Sequence, residues 1–170
     1  AYLAPSVDRD SSPRWSLDSK WVAFIRRPAE PVGGTPGSPL TTQDEPNPWA
    51  IWVADASTGA GRLVWQSGTA ENDSFPNMAG AGLLNFAAGN QIVFASEMDG
   101  WQHLYSIPAT GGTPALLTPG DCEYEHVTFV PGRTHIVYTS NCGDIDRRHL
   151  WRVAVTGGAP ELLTSGEGNE

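Results

Sequence analysis

The stretch HLYSIPATGGTPALLT at residues 103–118 returns, with changes, as HLWRVAVTGGAPELLT at residues 149–164. The two copies share the opening His-Leu pair, the Thr-Gly-Gly triplet, a proline two residues after it and the closing Leu-Leu-Thr. The copies begin 46 residues apart, a period that indicates a chain built from repeated structural units.

The segments that precede the two copies are also alike. FAAGNQIVFAS (residues 86–96) matches FVPGRTHIVYTS (residues 129–140), and each leads from an aromatic residue through a turn into alternating apolar positions. A more divergent copy stands first, as WSLDSKWVAF (residues 15–24) and IWVADASTGAGRLVW (residues 51–65). The chain therefore contains three similar units.

Each unit contains four short strand-like runs, which we label A to D in chain order. In the third unit they are predicted at residues 124–130, 134–140, 148–155 and 159–164. Alternating apolar residues are typical of half-buried strands, and no window combines a helical period of 3.6 residues with capping residues. Pro-Gly and Thr-Gly-Gly supply the positive φ angles that tight hairpin turns need.

Four antiparallel strands repeated about every 40–50 residues are typical of β-propeller blades. We therefore predict an all-β fold, a single partial β-propeller of about three four-stranded antiparallel blades, at residues 13–67, 82–118 and 124–164. A β-sandwich with two similar hairpins is the alternative. The Pro- and Gly-rich insertion at residues 26–48 is predicted to be a long surface loop of blade 1.

The number of blades and the composition narrow the classes of partner. A closed propeller typically has four to eight blades, so we expect self-association through the open blade faces. The net charge is −9 and the pI is about 4.7, so nucleic acid is not an expected partner. No run of about 18 apolar residues is present, and no membrane span is predicted.

The sequence lacks the common catalytic motifs. It contains no GxSxG nucleophile elbow, no HExxH, no SxxK and no Gly-rich phosphate loop between a strand and a helix. We therefore predict no catalytic residue, no metal and no cofactor. His103 and His149 occupy the same repeat position, which favours bonding to a neighbouring strand over a catalytic role.

The turns between strands B and C are where the second and third units differ most. SEMDGWQHLY of blade 2 carries Glu97 and Asp99, and SNCGDIDRRHLW of blade 3 carries Arg147 and Arg148. We predict these four as substrate-binding residues, since an arginine can bind a carboxylate or carbonyl through two hydrogen bonds. Local pairing of the arginines with the aspartates of their own turn is the alternative.

Acidic residues recur where one unit leads into the next. They lie in TAENDS after blade 1, PGDCEYEH after blade 2 and SGEGNE after blade 3. These clusters predict either an acidic rim that attracts an amino group or a cation, or a set of solvated connections.

Cys122 and Cys142 are the two cysteines of the chain. If strands A and B of blade 3 turn at Pro131-Gly132, residues whose numbers sum to about 264 face each other, as the cysteines do. They would then lie within disulfide reach at the open end of the hairpin. A disulfide predicts a periplasmic or secreted location, and two reduced buried thiols are the alternative.

Two stretches, DGWQHLY and GDIDRRHLWRV, are more specific than the rest of the repeat. Together with WSLDSK and TGG…LLT, which TolB-type propellers share, they resemble the N-terminal β-propeller of prolyl oligopeptidase-family serine peptidases, in the bacterial dipeptidyl peptidase IV-like branch. The resemblance implies a propeller that caps a C-terminal α/β-hydrolase domain. That domain carries the Ser–Asp–His triad and is absent from this sequence.

The resemblance also implies a function. The propeller would be the non-catalytic domain of a serine exopeptidase or oligopeptidase, gating and orienting short peptides for the catalytic domain. The chain alone would not cleave peptide bonds. It departs from the dipeptidyl peptidase branch in lacking the adjacent Glu-Glu pair that holds a substrate's amino terminus. Two other hypotheses stay open: a TolB-like module that binds a partner protein, and a metal-dependent propeller hydrolase.

Overall fold

The computed structural model describes residues 2–29, 48–76 and 83–168. Within these ranges the chain forms twelve strands in three four-stranded antiparallel sheets, with short 3₁₀ turns at Glu71–Asp73 and Ala88–Asn90. The strands of each sheet stand side by side in chain order, as in a propeller blade. The predicted all-β partial propeller of three blades is confirmed.

The twelve strands correspond to strands A to D of the three predicted units. Blade 1 contains β1 (Arg9–Trp15), β2 (Trp21–Arg27), β3 (Ala50–Asp55) and β4 (Gly61–Gln66). Blade 2 contains β5 (Leu84–Ala87), β6 (Gln91–Ser96), β7 (His103–Pro108) and β8 (Ala115–Leu116). Blade 3 contains β9 (Tyr124–Phe129), β10 (His135–Ser140), β11 (His149–Ala154) and β12 (Glu161–Leu162).

The strand bounds differ from the predicted ones at several ends. Strand β1 begins at Arg9, before the predicted start of blade 1 at about residue 13, and β2 continues through Arg27 into the predicted insertion. The last strand of blade 3 has two residues where 159–164 was predicted. Most of the predicted 26–48 loop, residues 30–47, lies outside the described residues.

The Leu-Leu-Thr that closes blades 2 and 3 explains their short last strands. In blade 2 the N–H of Leu117 donates to the carbonyl of Leu104 at 2.8 Å, and the N–H of Leu104 donates to Thr118 Oγ1 at 2.9 Å. Blade 3 repeats both bonds at the same distances, between Leu150 and its own Leu-Leu-Thr. A threonine hydroxyl thus replaces the backbone acceptor where the ladder ends.

Most of the hydrophobic core lies in two layers between the blades, and a smaller third cluster packs Phe24 and Ala54 of blade 1 against Ala4. One cluster is enclosed by blades 1 and 2 and a second by blades 2 and 3. Along β6, Ile92 and Phe94 belong to the first cluster, while Val93 and Ala95 belong to the second. Successive side chains of a strand point to opposite faces, so a strand covered on both faces is apolar throughout. Blade 2 is therefore the buried centre of the three.

Candidate functional site

The B–C turns and the connections from one blade to the next lie at the same end of the molecule, which we call the B–C end. Antiparallel strands bring the chain back to one end after every second strand. Contacts between the two kinds of loop support this placement. The side-chain amide of Asn72, in the first connection, donates to the carbonyl of Met98, in the B–C turn of blade 2, at 3.2 Å. All four predicted binding residues lie at this end.

The B–C end is strongly acidic. Nine carboxylates stand in its turns and connections among the described residues, and they are Glu71, Asp73, Glu97, Asp99, Asp121, Glu123, Asp144, Asp146 and Glu167. Nearby Arg26 is bound to Asp10 at 2.8 Å, and the guanidinium of Arg27 lies 4.9 Å from the ring centre of Phe75. This end therefore attracts cations and amino groups more than anions.

Arg147 and Arg148 stabilise the B–C turn of blade 3 through ion pairs. Arg147 Nη1 donates to Asp144 Oδ2 at 2.7 Å, and Arg148 Nε donates to Glu125 Oε1 at 2.6 Å. The hydrogen bond from Arg147, followed by that from the Asp146 backbone, holds the pKa of Asp144 below its ordinary value. Arg147 is thus in the local pair that was the alternative to substrate binding, whereas Arg148 is paired with Glu125 of β9, outside its own turn.

Asp99 is committed to a neighbour in its own blade. Its Oδ2 lies 2.7 Å from His103 Nδ1, and the other ring nitrogen, Nε2, lies 2.9 Å from the carbonyl of Cys122. Burial raises the pKa of Asp99, but hydrogen bonds from His103 and Tyr105 outweigh it and leave the pKa below its ordinary value. His103 has the architectural role that its repeat position predicted, since it binds the connection into the next blade.

Glu97 differs from the other three predicted residues. Its Oε1 is buried and has no hydrogen-bond partner, and the hydroxyl of Tyr124 is in the same state. Burial, together with the nearby Glu97 carboxylate, raises the pKa of Tyr124. The Gln102 side chain lies beside this hydroxyl without completing a hydrogen bond. Two unsatisfied oxygens from different blades therefore face one region of the B–C end.

Sequence reasoning did not single out Tyr124 or Gln102. In the sequence, Tyr124 has the pattern of an ordinary first residue of a strand, and Gln102 is a polar residue directly before a strand. Both are at most 5% exposed, because blades 2 and 3 close over them. The signal in the sequence was indirect, since the predicted acidic turn that contains Glu97 is the one that packs beside them.

Cys122 and Cys142 are joined as a disulfide, with their Cα atoms 5.1 Å apart. A register shift in the pairing of β9 with β10, between Tyr138 and Ser140, brings Tyr124 opposite Ser140. That shift produces the spacing on which the predicted cysteine pairing rested. The bridge ties the connection into blade 3 to the start of that blade's B–C turn.

Within residues 2–29, 48–76 and 83–168 no group of three or more His, Cys, Asp and Glu side chains is placed to hold a metal ion. In the same part of the chain, no helix is long and apolar enough to cross a membrane.

The repeated part of the chain matches a known protein family. Residues 43–170 match the family described as the dipeptidyl peptidase IV (DPP IV) N-terminal region. The chain belongs to this family. The resemblance to the N-terminal propeller of prolyl oligopeptidase-family peptidases, in the DPP IV-like branch, is confirmed. No curated protein sequence matches the chain.

Solved structures share the fold of this DPP IV N-terminal region. TolB from Acinetobacter baumannii is 20% identical with a TM-score of 0.53, covering 95% of this chain and 34% of that one. A Bacteroides ovatus protein assigned as a dipeptidyl aminopeptidase IV is 16% identical with a TM-score of 0.63, covering 94% and 23%. An oligogalacturonate lyase in complex with manganese is 13% identical with a TM-score of 0.69, covering 96% and 43%. The likeness is one of fold, and the chain spans less than half the length of each protein.

Proposed function

We propose that this chain is a non-catalytic propeller module that gates and orients short peptides for the catalytic domain of a serine peptidase. Its family supports a propeller that works beside a catalytic partner domain. The observation that carries the proposal is Oε1 of Glu97, a buried oxygen without a hydrogen-bond partner at the acidic B–C end. The metal-dependent alternative has no comparable group of ligands among the described residues.

The chemistry of this place suits an amino group. A buried acceptor without a donor costs free energy, which a bound donor recovers. The ammonium of a peptide's amino terminus has several N–H donors, and it can bond the Glu97 carboxylate and the Tyr124 hydroxyl oxygen together. Asp99 and the two arginines, each of which is already paired with another side chain, would support the turns rather than touch the peptide.

Substitution of Glu97 tests the proposal. A short peptide with a free amino terminus is titrated into the 170-residue chain and followed by NMR. We expect Glu97→Gln to weaken binding roughly 10-fold or more, since a hydrogen bond to a charged group contributes about 1.5–3 kcal/mol. The N-acetylated peptide should bind weakly to both proteins.

The matched control is Glu71→Gln, which removes the same charge from an exposed position at the same end. It should leave binding of the free peptide within about twofold of the original, because long-range attraction between exposed charges is screened. Equal losses from the two substitutions would show that Glu97 holds no amino group.

A periplasmic or secreted location is also proposed, on the pairing of Cys122 with Cys142. Disulfides persist in oxidising compartments and are rare in the cytosol. A thiol count on the denatured, unreduced protein purified from its native compartment tests both points. No free thiol is the expected result, and two free thiols would contradict the bridge and the location inferred from it.

Self-association through the open face of blade 3 is the last part of the proposal. Leu163 is 41% exposed there, whereas its counterpart Leu117 is fully buried between blades 2 and 3. Light scattering across a concentration series should show a dimer or larger species that Leu163→Arg abolishes. A strictly monomeric protein at high concentration would contradict the idea.

A further inference from the structure

His103 lies between two groups that can only accept hydrogen bonds. The side chain is 2% exposed, with Nδ1 2.7 Å from Asp99 Oδ2 and Nε2 2.9 Å from the carbonyl oxygen of Cys122. Neither an ionised carboxylate nor a backbone carbonyl has a proton to donate. Both ring nitrogens donate to these acceptors only when the ring carries two protons and is a cation.

The extra proton belongs to the imidazole rather than to the carboxyl. Asp99 stays ionised because its hydrogen bonds with His103 and Tyr105 hold its pKa below the ordinary value despite burial. The groups placed against the ring are Asp99 and, through it, the Tyr105 hydroxyl, both from blade 2. From blade 3, Cys122 contributes its carbonyl alone, since its sulfur is in the disulfide.

Cys122 connects this ring to the B–C turn of the next blade. Its carbonyl faces His103, and its sulfur is bonded to Cys142 at the start of the turn that carries Arg147 and Arg148. The adjoining N–H of Glu123 donates to the Asn141 side chain at 3.0 Å. A continuous path of hydrogen bonds and one covalent bond thus runs from the turn of Glu97 and Asp99 to the turn of the two arginines.

We propose that His103 is a positioning residue whose doubly protonated ring connects the two B–C turns. Loss of one ring proton would break this connection. A neutral ring donates to one acceptor at a time, so either Asp99 or the Cys122 carbonyl would lose its donor. The distance between the two B–C turns at the B–C end would then change with pH. The proposal rests on the proposed function only in that these turns include Glu97.

The charge of the ring is tested in the unaltered protein. Nitrogen-15 NMR of the histidine side chains at about pH 7 distinguishes a nitrogen that bears a proton from one with a free lone pair. Both nitrogens of His103 are expected to be of the protonated type. A lone-pair signal from either would overturn the proposal, whatever the outcome of peptide binding to Glu97.

The positioning role is tested by the pH response of the two turns. Backbone amide signals of the turn around Glu97 and of residues 142–148 should shift with the same midpoint as the His103 ring signals. Asp99→Asn should abolish the shared response, because an asparagine amide can donate to a neutral ring nitrogen while the other nitrogen still donates to Cys122.

The control is Asp144→Asn, which alters a turn carboxylate that does not contact His103. It should retain the shared midpoint. Turn amides that do not follow the His103 titration, or a response that persists in Asp99→Asn, would overturn the positioning role. Retained binding of a free amino terminus in either case would leave the proposed function standing.

Discussion

Glu97 and Asp99 stand two residues apart in one turn, and their surroundings give them different chemistry. Asp99 is bound to His103, whereas Glu97 keeps a buried oxygen without a donor. The carboxylate that is already paired stabilises the turn, and the one whose oxygen lacks a donor is the one that we propose as a ligand-binding group. At the scale of the residue, the role of a carboxylate depends more on whether it has a hydrogen-bond partner than on whether it is aspartate or glutamate.

Asp99→Asn should change stability in a pH-dependent way. A carboxyl whose pKa is depressed in the fold contributes stability above its unfolded-state pKa of about 4, and that contribution is lost as pH falls through the folded value. The variant should therefore have the lower Tm near neutral pH, and the difference should shrink below about pH 4. Thermal unfolding followed by circular dichroism measures it. An equal Tm difference at pH 3 and pH 7 would rule out this account.

The C–D hairpin is the element that the repeat encodes most fully. Thr-Gly-Gly makes its turn, with φ of 98° at Gly111 and 131° at Gly112, a region that residues with a Cβ rarely adopt. A Cβ at Gly111 would also lie 3.3 Å from the carbonyl oxygen of Val64 in blade 1. Both glycines thus serve the turn, and Gly111 also serves the approach of a neighbouring blade.

Thr118→Val tests the closing threonine of this hairpin. Valine keeps the shape of the side chain but removes the acceptor for the buried N–H of Leu104. We expect a loss of about 1–3 kcal/mol in the free energy of unfolding, the cost of a buried donor left without a partner. Urea denaturation measures it, with Thr113→Val at an exposed position of the same hairpin as the control. Similar losses in the two variants would contradict the capping role.

Stability of the whole molecule depends on packing between blades. Leu104 and Leu150 hold the same repeat position, but Leu104 is fully buried against blade 3 while Leu150 lies half-buried on the open face. We expect Leu104→Ala to lower the free energy of unfolding by about 2–5 kcal/mol, and Leu150→Ala by less than half as much. Chemical denaturation at low protein concentration compares them. Equal losses would mean that blade 3 does not cover blade 2 in solution.

Much of the architecture could be predicted because its signals are local. Alternating apolar residues and turn glycines are recognised within a few residues of chain, and the repeat shows which of them belong to equivalent units. Three blades and the family could therefore be inferred. The bounds of the last strands were less accurate. A threonine hydroxyl ends the ladder there, and the sequence LLT does not distinguish a third strand residue from a cap.

The binding residues were harder to predict for a physical reason. Arg148 meets Glu125 of the same blade at a separation of 23 residues, and His103 meets the carbonyl of Cys122 at 19, so whether a charge is free depends on contacts between residues distant in the chain. The residue order was enough to establish the blades, their hairpins and an acidic set of turns, since each rests on neighbours in the chain. Which polar groups find a partner follows from the tertiary structure, because packing of strands and blades brings acceptors and donors that are distant in the chain within bonding distance.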